Sequence, residues 1–535
     1  MSAGRMRKAA RLSVPVLAAS LALSAWNVPL AAQAPANGTP AAPAAMPGVK
    51  LVDKMPPAAP PRPFAFPTPV SKTLPNGLRV FVVSARARGD KASVDPAVSV
   101  ELLIRNAGAV RNPQEKPGLA DFTGSLLRQG TEKRTAQEIA EAIDFVGGSL
   151  RAGAGRDSTT LGVTVVKKDF DLGMDLLSDI TLHAKFPEDE IARYKQRMLS
   201  GFRSRYQSAE YLASAVFDRA VFGTSPYGMP DDGTPASLRA ITRDDLMAFR
   251  DRYYLPNESI MAFAGDITPE EAFAAAEKYF GGWEKETVSP PKIELPEQVK
   301  GLHILVVDMP DAVQTQIRVG RLGIPRNHPD FLPLSVTNYI FGGGFNSRLN
   351  VETRVNRGLT YGANSGFSGA LYAGDFEADT FTRTETTVET AQVILDQMRK
   401  MSSGEVTADE LNVARDYLSG VFVIATETPN QVAGRVANAA FYGLPDDYNQ
   451  TYPAKVRATT AAQVKQMAAR YFDASDENLV LVGNAAAFRE GLKAAFPQAK
   501  YEEVSAEELD LMAPDLRKAA PVPAATPPGF ADSAR

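Results

Sequence analysis

Two periodicities of apolar residues run through the chain. Val98-Ser99-Val100-Glu101-Leu102-Leu103-Ile104 and Leu161-Gly162-Val163-Thr164-Val165-Val166 are short and rich in β-branched residues, which predicts strands. From Thr135 to Val146, and again from Pro187 to Val221, apolar positions recur every three or four residues. That spacing predicts helices, the second of them long and amphipathic. Leu74-Pro75-Asn76-Gly77-Leu78 predicts a hairpin, because Asn-Gly suits the positive φ angles of a tight turn. Strands and helices do not alternate one for one, so an α+β sandwich is expected rather than a doubly wound parallel sheet.

The pattern occurs twice. Ile104-Arg105-Asn106-Ala107-Gly108 reads like Val319-Gly320-Arg321-Leu322-Gly323, 215 residues on. Tyr227-Gly228-Met229-Pro230-Asp231-Asp232 returns at the same offset as Tyr442-Gly443-Leu444-Pro445-Asp446-Asp447. Thr242 to Tyr254 matches Thr460 to Phe472 at an offset of 218, and the strand ending at Gly265 matches the one ending at Gly483. Blocks that keep order and offset indicate a duplication. The expected division is an N-terminal half at 71–288, a linker at 289–300 containing Pro290, Pro291 and Pro296, and a C-terminal half at 301–505. A Pro/Ala-rich arm at 33–70, with eleven prolines, and a Pro/Ala-rich tail at 506–535 are expected to be disordered.

Composition narrows the chemistry. The 535 residues are 44% hydrophobic and 22% charged, with a net charge of −4 and no basic block, which argues against nucleic acid or an anionic membrane surface as partner. There is no cysteine, so no disulfide or thiolate site, and only His183, His303 and His328 are present. Residues 1–32 read as a secretory signal peptide: Arg5, Arg7, Lys8 and Arg11, an apolar run from Leu12 to Trp26, then small residues around Ala31-Ala32 and Ala34. The apolar run is shorter than the ~20 residues of a spanning helix. The mature protein is expected to be exported, in the periplasm, and free of membrane once the signal is cleaved.

Leu74-Pro75-Asn76-Gly77-Leu78-Arg79-Val80, Gly118-Leu119-Ala120-Asp121-Phe122-Thr123-Gly124-Ser125-Leu126 and Gly342-Gly343-Gly344-Phe345-Asn346-Ser347-Arg348-Leu349 stand in order across both halves. In these segments the chain resembles the insulinase/pitrilysin family of zinc peptidases, in its processing-peptidase-like bacterial branch. The resemblance implies two duplicated α/β sandwich halves forming a clamshell chamber. Active members carry H-x-x-E-H on a helix, with both imidazoles on one face for zinc and the glutamate as base.

Here Asp121, Gly124 and Ser125 stand at those three positions, and Gly201 stands where the resemblance implies the distal glutamate, 76 residues after Ser125. One carboxylate cannot supply the three or four donors of a zinc site. Ser125 has no histidine near it in the chain to act as base, and Gly342-Gly343-Gly344 lacks the Lys-Ser/Thr of a phosphate loop. It reads as a tight turn with Asn346 or Ser347 capping the next helix.

The resemblance also implies a substrate-gripping arginine and tyrosine seven residues apart, here Arg354 and Tyr361. The expected role follows: a non-catalytic subunit with no cofactor of its own, supplying that pair to a paralogous H-x-x-E-H-bearing subunit that holds the zinc, and acting on unfolded peptides. The alternative is a structural or peptide-binding core-type protein without proteolysis. An autonomous metallopeptidase is the weakest reading of these residues.

Overall fold

The structure, a computed structural model, describes residues 64–85 and 96–519. The expected signal peptide and most of the Pro/Ala arm lie outside the described residues.

The first half forms a six-stranded sheet of β1 (Val70–Thr73), β2 (Arg79–Ser84), β3 (Ala97–Arg105), β4 (Ser149–Ala154), β5 (Ser158–Val166) and β6 (Ser259–Gly265). The second forms another from β7 (His303–Asp308), β8 (Gln314–Leu322), β9 (Ala363–Gly369), β10 (Gly374–Arg383), β11 (Asn478–Gly483) and β12 (Lys500–Ser505). Strand orders are β1-β2-β6-β3-β5-β4 and β12-β7-β11-β8-β10-β9. Five strands correspond one to one, and in each half the central parallel pair, β2–β6 or β7–β11, is followed by an antiparallel neighbour, β3 or β8. Only the sixth differs: β1 precedes β2 and runs antiparallel to it, whereas β12 follows the whole half and runs parallel to β7. The Asn76-Gly77 turn joins β1 to β2 as predicted, with Gly77 at φ +93°.

β6 and β11 are buried along their full length, because both faces of each sheet are covered. One face of each sheet packs on its own half's helices, giving separate cores around Phe122, Phe263 and Phe280 and around Phe341, Phe376 and Phe472. Helices α1 (Leu119–Leu126), α2 (Glu188–Arg205) and α3 (Ala209–Phe222) belong to the first half. Helices α4 (Ala408–Ile424) and α5 (Pro429–Phe441) belong to the second. The other face of each sheet is covered from across the repeat. α3 packs on Leu305, Val307, Val480 and Val482 of the second sheet, and α5 packs on Val83, Leu103, Ile260 and Ala262 of the first. This exchange makes the halves one unit. Buried polar contacts pin the seam: Tyr227 Oη donates to Asp157 Oδ1 at 2.5 Å, and the Leu371 amide donates to Asp157 Oδ2 at 2.7 Å.

Three local expectations are corrected. The helix expected from Pro187 to Val221 is two helices, broken before Ser208, whose hydroxyl accepts from the Tyr211 amide and starts a new one. The segment around the triple glycine is a π-helical turn, Tyr339–Gly343, rather than a simple tight turn, and the Ser347 hydroxyl makes no capping bond. A β-carbon at Gly342 would lie 2.2 Å from Ser365 Oγ, so glycine is needed for close approach to β9. The N-terminal arm also ends earlier, and the C-terminal tail begins later, than composition indicated. Phe66 is buried and packs near Phe422, while Leu509, Leu511 and Leu516 are buried in the layer that holds α3.

Candidate functional site

Helix α1 is capped by Gly118, where both the φ of +88° and a β-carbon position 2.8 Å from Gly233 favour glycine. The Asn112 side chain accepts from the Ala120 amide at 2.8 Å and satisfies the first turn. The helix thereby presents Asp121 and Ser125, one turn apart, toward α2. What meets them is Tyr194. Its hydroxyl donates to Asp121 Oδ2 at 2.9 Å, Ser125 lies against the same phenol, and the ring stacks on Phe122 with centroids 4.5 Å apart. Burial and the neighbouring Asp121 carboxylate both push the Tyr194 phenol well above its ordinary pKa, so it stays a donor. Burial likewise raises Asp121, against the Tyr194 hydrogen bond, with Asp232 adding to the rise.

Gly124 faces the other way. A β-carbon on it would lie 2.7 Å from the Ala154 amide nitrogen and 2.8 Å from the Gly153 carbonyl carbon, both in β4. No side chain enters there without moving the strand. Gly201, two turns beyond Tyr194 on α2, has nothing within 4 Å of its β-carbon position. Its neighbours on α2, Leu199, Phe202 and Arg203, line a groove of 910 Å³ with Pro235, Leu509 and Met512. Among the described residues no group of three His, Cys, Asp or Glu side chains is arranged to hold a metal ion. With the Asp121 oxygen engaged by Tyr194, these residues do not fit zinc.

Acidic residues continue from this point to the seam. Asp232 pairs with Arg205, and Arg156 reaches Asp218 at 2.5 Å and Asp231 at 3.4 Å. Burial, opposed by Arg156, pushes Asp218 up to about 7 and Asp231 up to about 6.

Arg354 and Tyr361 lie on the second half. Arg354 sits in a second π-helical turn, Val351–Asn356, with its guanidinium 4.8 Å from the centroid of the Phe345 ring. Of the three arginines on this segment, Arg348 is paired with Glu410 and Arg357 with Glu352 and Glu389, while Arg354 makes no ion pair among the described residues. Tyr361 is 82% exposed, with its ring 6.4 Å from that of Phe381. Tyr194 draws Asp121 and Ser125 together, but no hydrogen bond or ion pair among the described residues joins them to Arg354 or Tyr361. The sequence pointed to Asp121, Gly124, Ser125, Gly201, Arg354 and Tyr361, but not to Tyr194 or to the ion pairs of Arg156 with Asp218 and of Arg205 with Asp232. The only sequence signal for Tyr194 is its place on the long helix, seven residues before Gly201.

Fold and site together define a duplicated α/β chain whose helix α1 presents a single carboxylate, Asp121, held by Tyr194. A family profile described as insulinase (peptidase family M16) matches residues 90–222, and one described as the peptidase M16 inactive domain matches residues 240–418. An uncharacterized zinc protease of Mycobacterium leprae is 29% identical over 398 residues, covering 74% of this chain and 87% of its own length. A Helicobacter pylori protein described as a non-peptidase homolog is 21% identical over 395 residues, covering 73% and 89%. The crystal structure of a peptidase M16 inactive domain from Pseudomonas fluorescens superposes with a TM-score of 0.72 at 27% identity, covering 78% of this chain and 98% of that one. The chain belongs to the insulinase (peptidase M16) family.

Proposed function

We propose that this chain is the non-catalytic subunit of a heterodimeric M16-type peptidase, exported to the periplasm and without a metal of its own. Its partner is a paralogous subunit carrying H-x-x-E-H and the zinc, and the substrate is an unfolded peptide. One observation carries the reading: Asp121 and Ser125 meet the Tyr194 phenol and Gly124 meets the β4 backbone, while Arg354 and Tyr361 keep uncommitted donors at the surface. A guanidinium and a phenol donate to a peptide carbonyl, and more strongly to the oxyanion that develops on it. The relatives named as zinc proteases, and the profile named for an inactive domain, support the same division of labour.

The test is reconstitution. Pulled from its native source, the protein should bring an H-x-x-E-H-bearing chain with it, and peptidase activity should belong to the pair. The relative described as a non-peptidase homolog favours a second reading, a peptide-binding or structural core protein. A partner that lacks the motif, or a complex at full rate with Arg354→Ala and Tyr361→Phe both in place, would establish that reading instead.

A further inference from the structure

Beyond β12, the last strand of the second half, the chain returns to the first half. Leu511 and Leu516 are buried against α3, and Arg219 of that helix donates to the Ala513 carbonyl at 2.9 Å. The returning segment is a hairpin: the Asp510 amide donates to the Leu516 carbonyl and the Lys518 amide to the Glu508 carbonyl, both at 2.9 Å. The groove of 910 Å³ lies between this hairpin and α2. Phe202 and Leu509 are buried at its base, and Leu199, Pro235 and Met512 are half-buried along its walls.

Its rim is cationic. Arg203, Arg239 and Lys518 line it against one carboxylate among the lining residues, Asp510, which already accepts from the Met512 amide at 2.9 Å. Arg203 is exposed and makes no hydrogen bond or ion pair among the described residues. Arg239 is also exposed and donates to the Pro235 carbonyl of its own short helix at 3.0 Å, and Lys518 donates to the Glu507 carbonyl. Neither meets an acid among the described residues. Elsewhere on α2 the arginines are neutralised, Arg193 by Asp189 and Glu190 and Arg205 by Asp232. In a chain of net charge −4, an excess of cations around an apolar base is a local property of this groove.

Size and charge together select the occupant. The volume lies within the ~300–1,000 Å³ of sites that enclose small ligands. A stable contact with a folded partner takes about 800 Å² from each side. The groove therefore takes a few residues of chain rather than the face of a subunit. Apolar walls receive an apolar side chain, and a guanidinium on the rim holds a carboxylate through paired N–H donors.

We propose that this groove binds a short extended segment of the peptide substrate in which an apolar side chain stands beside an aspartate or glutamate. The proposal rests on the peptide-handling role given above and adds to it the class of sequence recognised. The apolar side chain lies over Phe202 and Leu509, between Leu199 and Met512, and the carboxylate meets Arg203. Segments rich in lysine or arginine are repelled by the same rim.

The experiment uses the full chain, purified alone, and three fluorescent ten-residue peptides in a glycine–serine background. One carries two leucine–aspartate pairs; in the others lysine replaces the aspartates, or serine replaces the leucines. The first should bind about tenfold or more tighter than either, and its affinity should fall as salt is raised. Arg203→Ala should weaken it about three- to fivefold, the worth of one exposed charge pair. Leu199→Ser should weaken it about tenfold from lost apolar burial, and Met512→Ser, on the opposite wall, should act in the same direction. Arg197→Ala is the control: this arginine lies over the Tyr194 ring of the same helix, outside the groove, and its loss should leave affinity unchanged. Binding indifferent to the exchange of aspartate for lysine, or weakened as much by Arg197→Ala as by Arg203→Ala, overturns the proposal. So do groove variants that keep peptide affinity and lose self-association or assembly with the partner, because the occupant is then a protein surface. The peptide is offered to the chain alone, so failure here is distinct from failure of the reconstitution that tests the subunit role.

Discussion

The two halves share a strand order and differ in what they leave open. In the first, α1 is closed from both sides: Tyr194 covers Asp121 and Ser125, and Gly124 rests on the backbone of β4. Its long helix α2 is charged outward, with Arg193 paired to Asp189 and Glu190. In the second, the π-helical turn Val351–Asn356 holds Arg354 without an acidic partner among the described residues, and α4 turns an apolar stripe outward. π-Helical turns gather at functional sites because each extra residue re-aims the side chains after it. Duplication supplied the scaffold twice, and the two copies differ in what they cover and what they leave open.

The sharpest way to break this comparison is at Arg354 and Tyr361. Loss of one oxyanion donor typically costs ~10²–10³ in kcat, so Arg354→Ala or Tyr361→Phe should lower turnover of the complex by that order. Assembly and zinc content of the complex should be unchanged. If the variants unfold instead, the open site is a structural element.

Next in size is the closed site. Gly124→Ala should destabilise by about 1–3 kcal/mol in urea unfolding, the usual cost of overpacking, and Gly124→Glu by more. Restoring H-x-x-E-H here therefore conflicts with β4 as well as with Tyr194. A Gly124→Ala protein as stable as the parent would show that the site is not closed.

A third contrast lies at matching positions of the two central strands. Ser259, opening β6, donates to the Leu255 carbonyl at 2.6 Å. Its counterpart before β11 is Glu477, fully buried, with Arg321 Nε 3.4 Å away and no hydrogen bond to either oxygen. Burial, only partly offset by Arg321, pushes its carboxyl up to about 8. A folded-state acid raised above its unfolded value of 4.5 retains a proton that the unfolded chain releases. Its contribution is complete below that unfolded value and is lost as pH rises toward 8, with a slope of up to ~1.4 kcal/mol per pH unit. Glu477→Gln should flatten that part of the stability profile relative to the parent and be the more stable form at pH 8. An unchanged slope would show that Glu477 is ionised in the fold.

The smallest effect is expected at Gly201. Alanine there meets open space on a helix, so Gly201→Ala should stabilise by up to ~1 kcal/mol in the same urea assay that penalises Gly124→Ala. Two glycines at equivalent-looking motif positions should move stability in opposite directions.

Much of this was legible in the residues. The duplication, the hairpin at Asn76-Gly77 and the central strands all depend on local pattern or on order along the chain, which a sequence carries directly. The break between α2 and α3 was not, because apolar spacing continues across it and only the Ser208 cap marks it. Phe66 and the leucines at 509, 511 and 516 were hidden in segments that composition assigned to disorder; a few anchors suffice where a partner surface exists to receive them.

The sequence by itself determined which side chains stand at the motif positions and which fold recurs. Missing ligands are missing wherever the chain goes, and a repeated pattern of apolar positions must be buried in the same way twice. Only the tertiary structure decided that Gly124 is packed and Gly201 free, that Tyr194 takes the place facing Asp121, and that each sheet's second face is covered by a helix from the other half. Those outcomes turn on distances between residues far apart in the chain, set by how the two halves close on each other, and no local pattern encodes them.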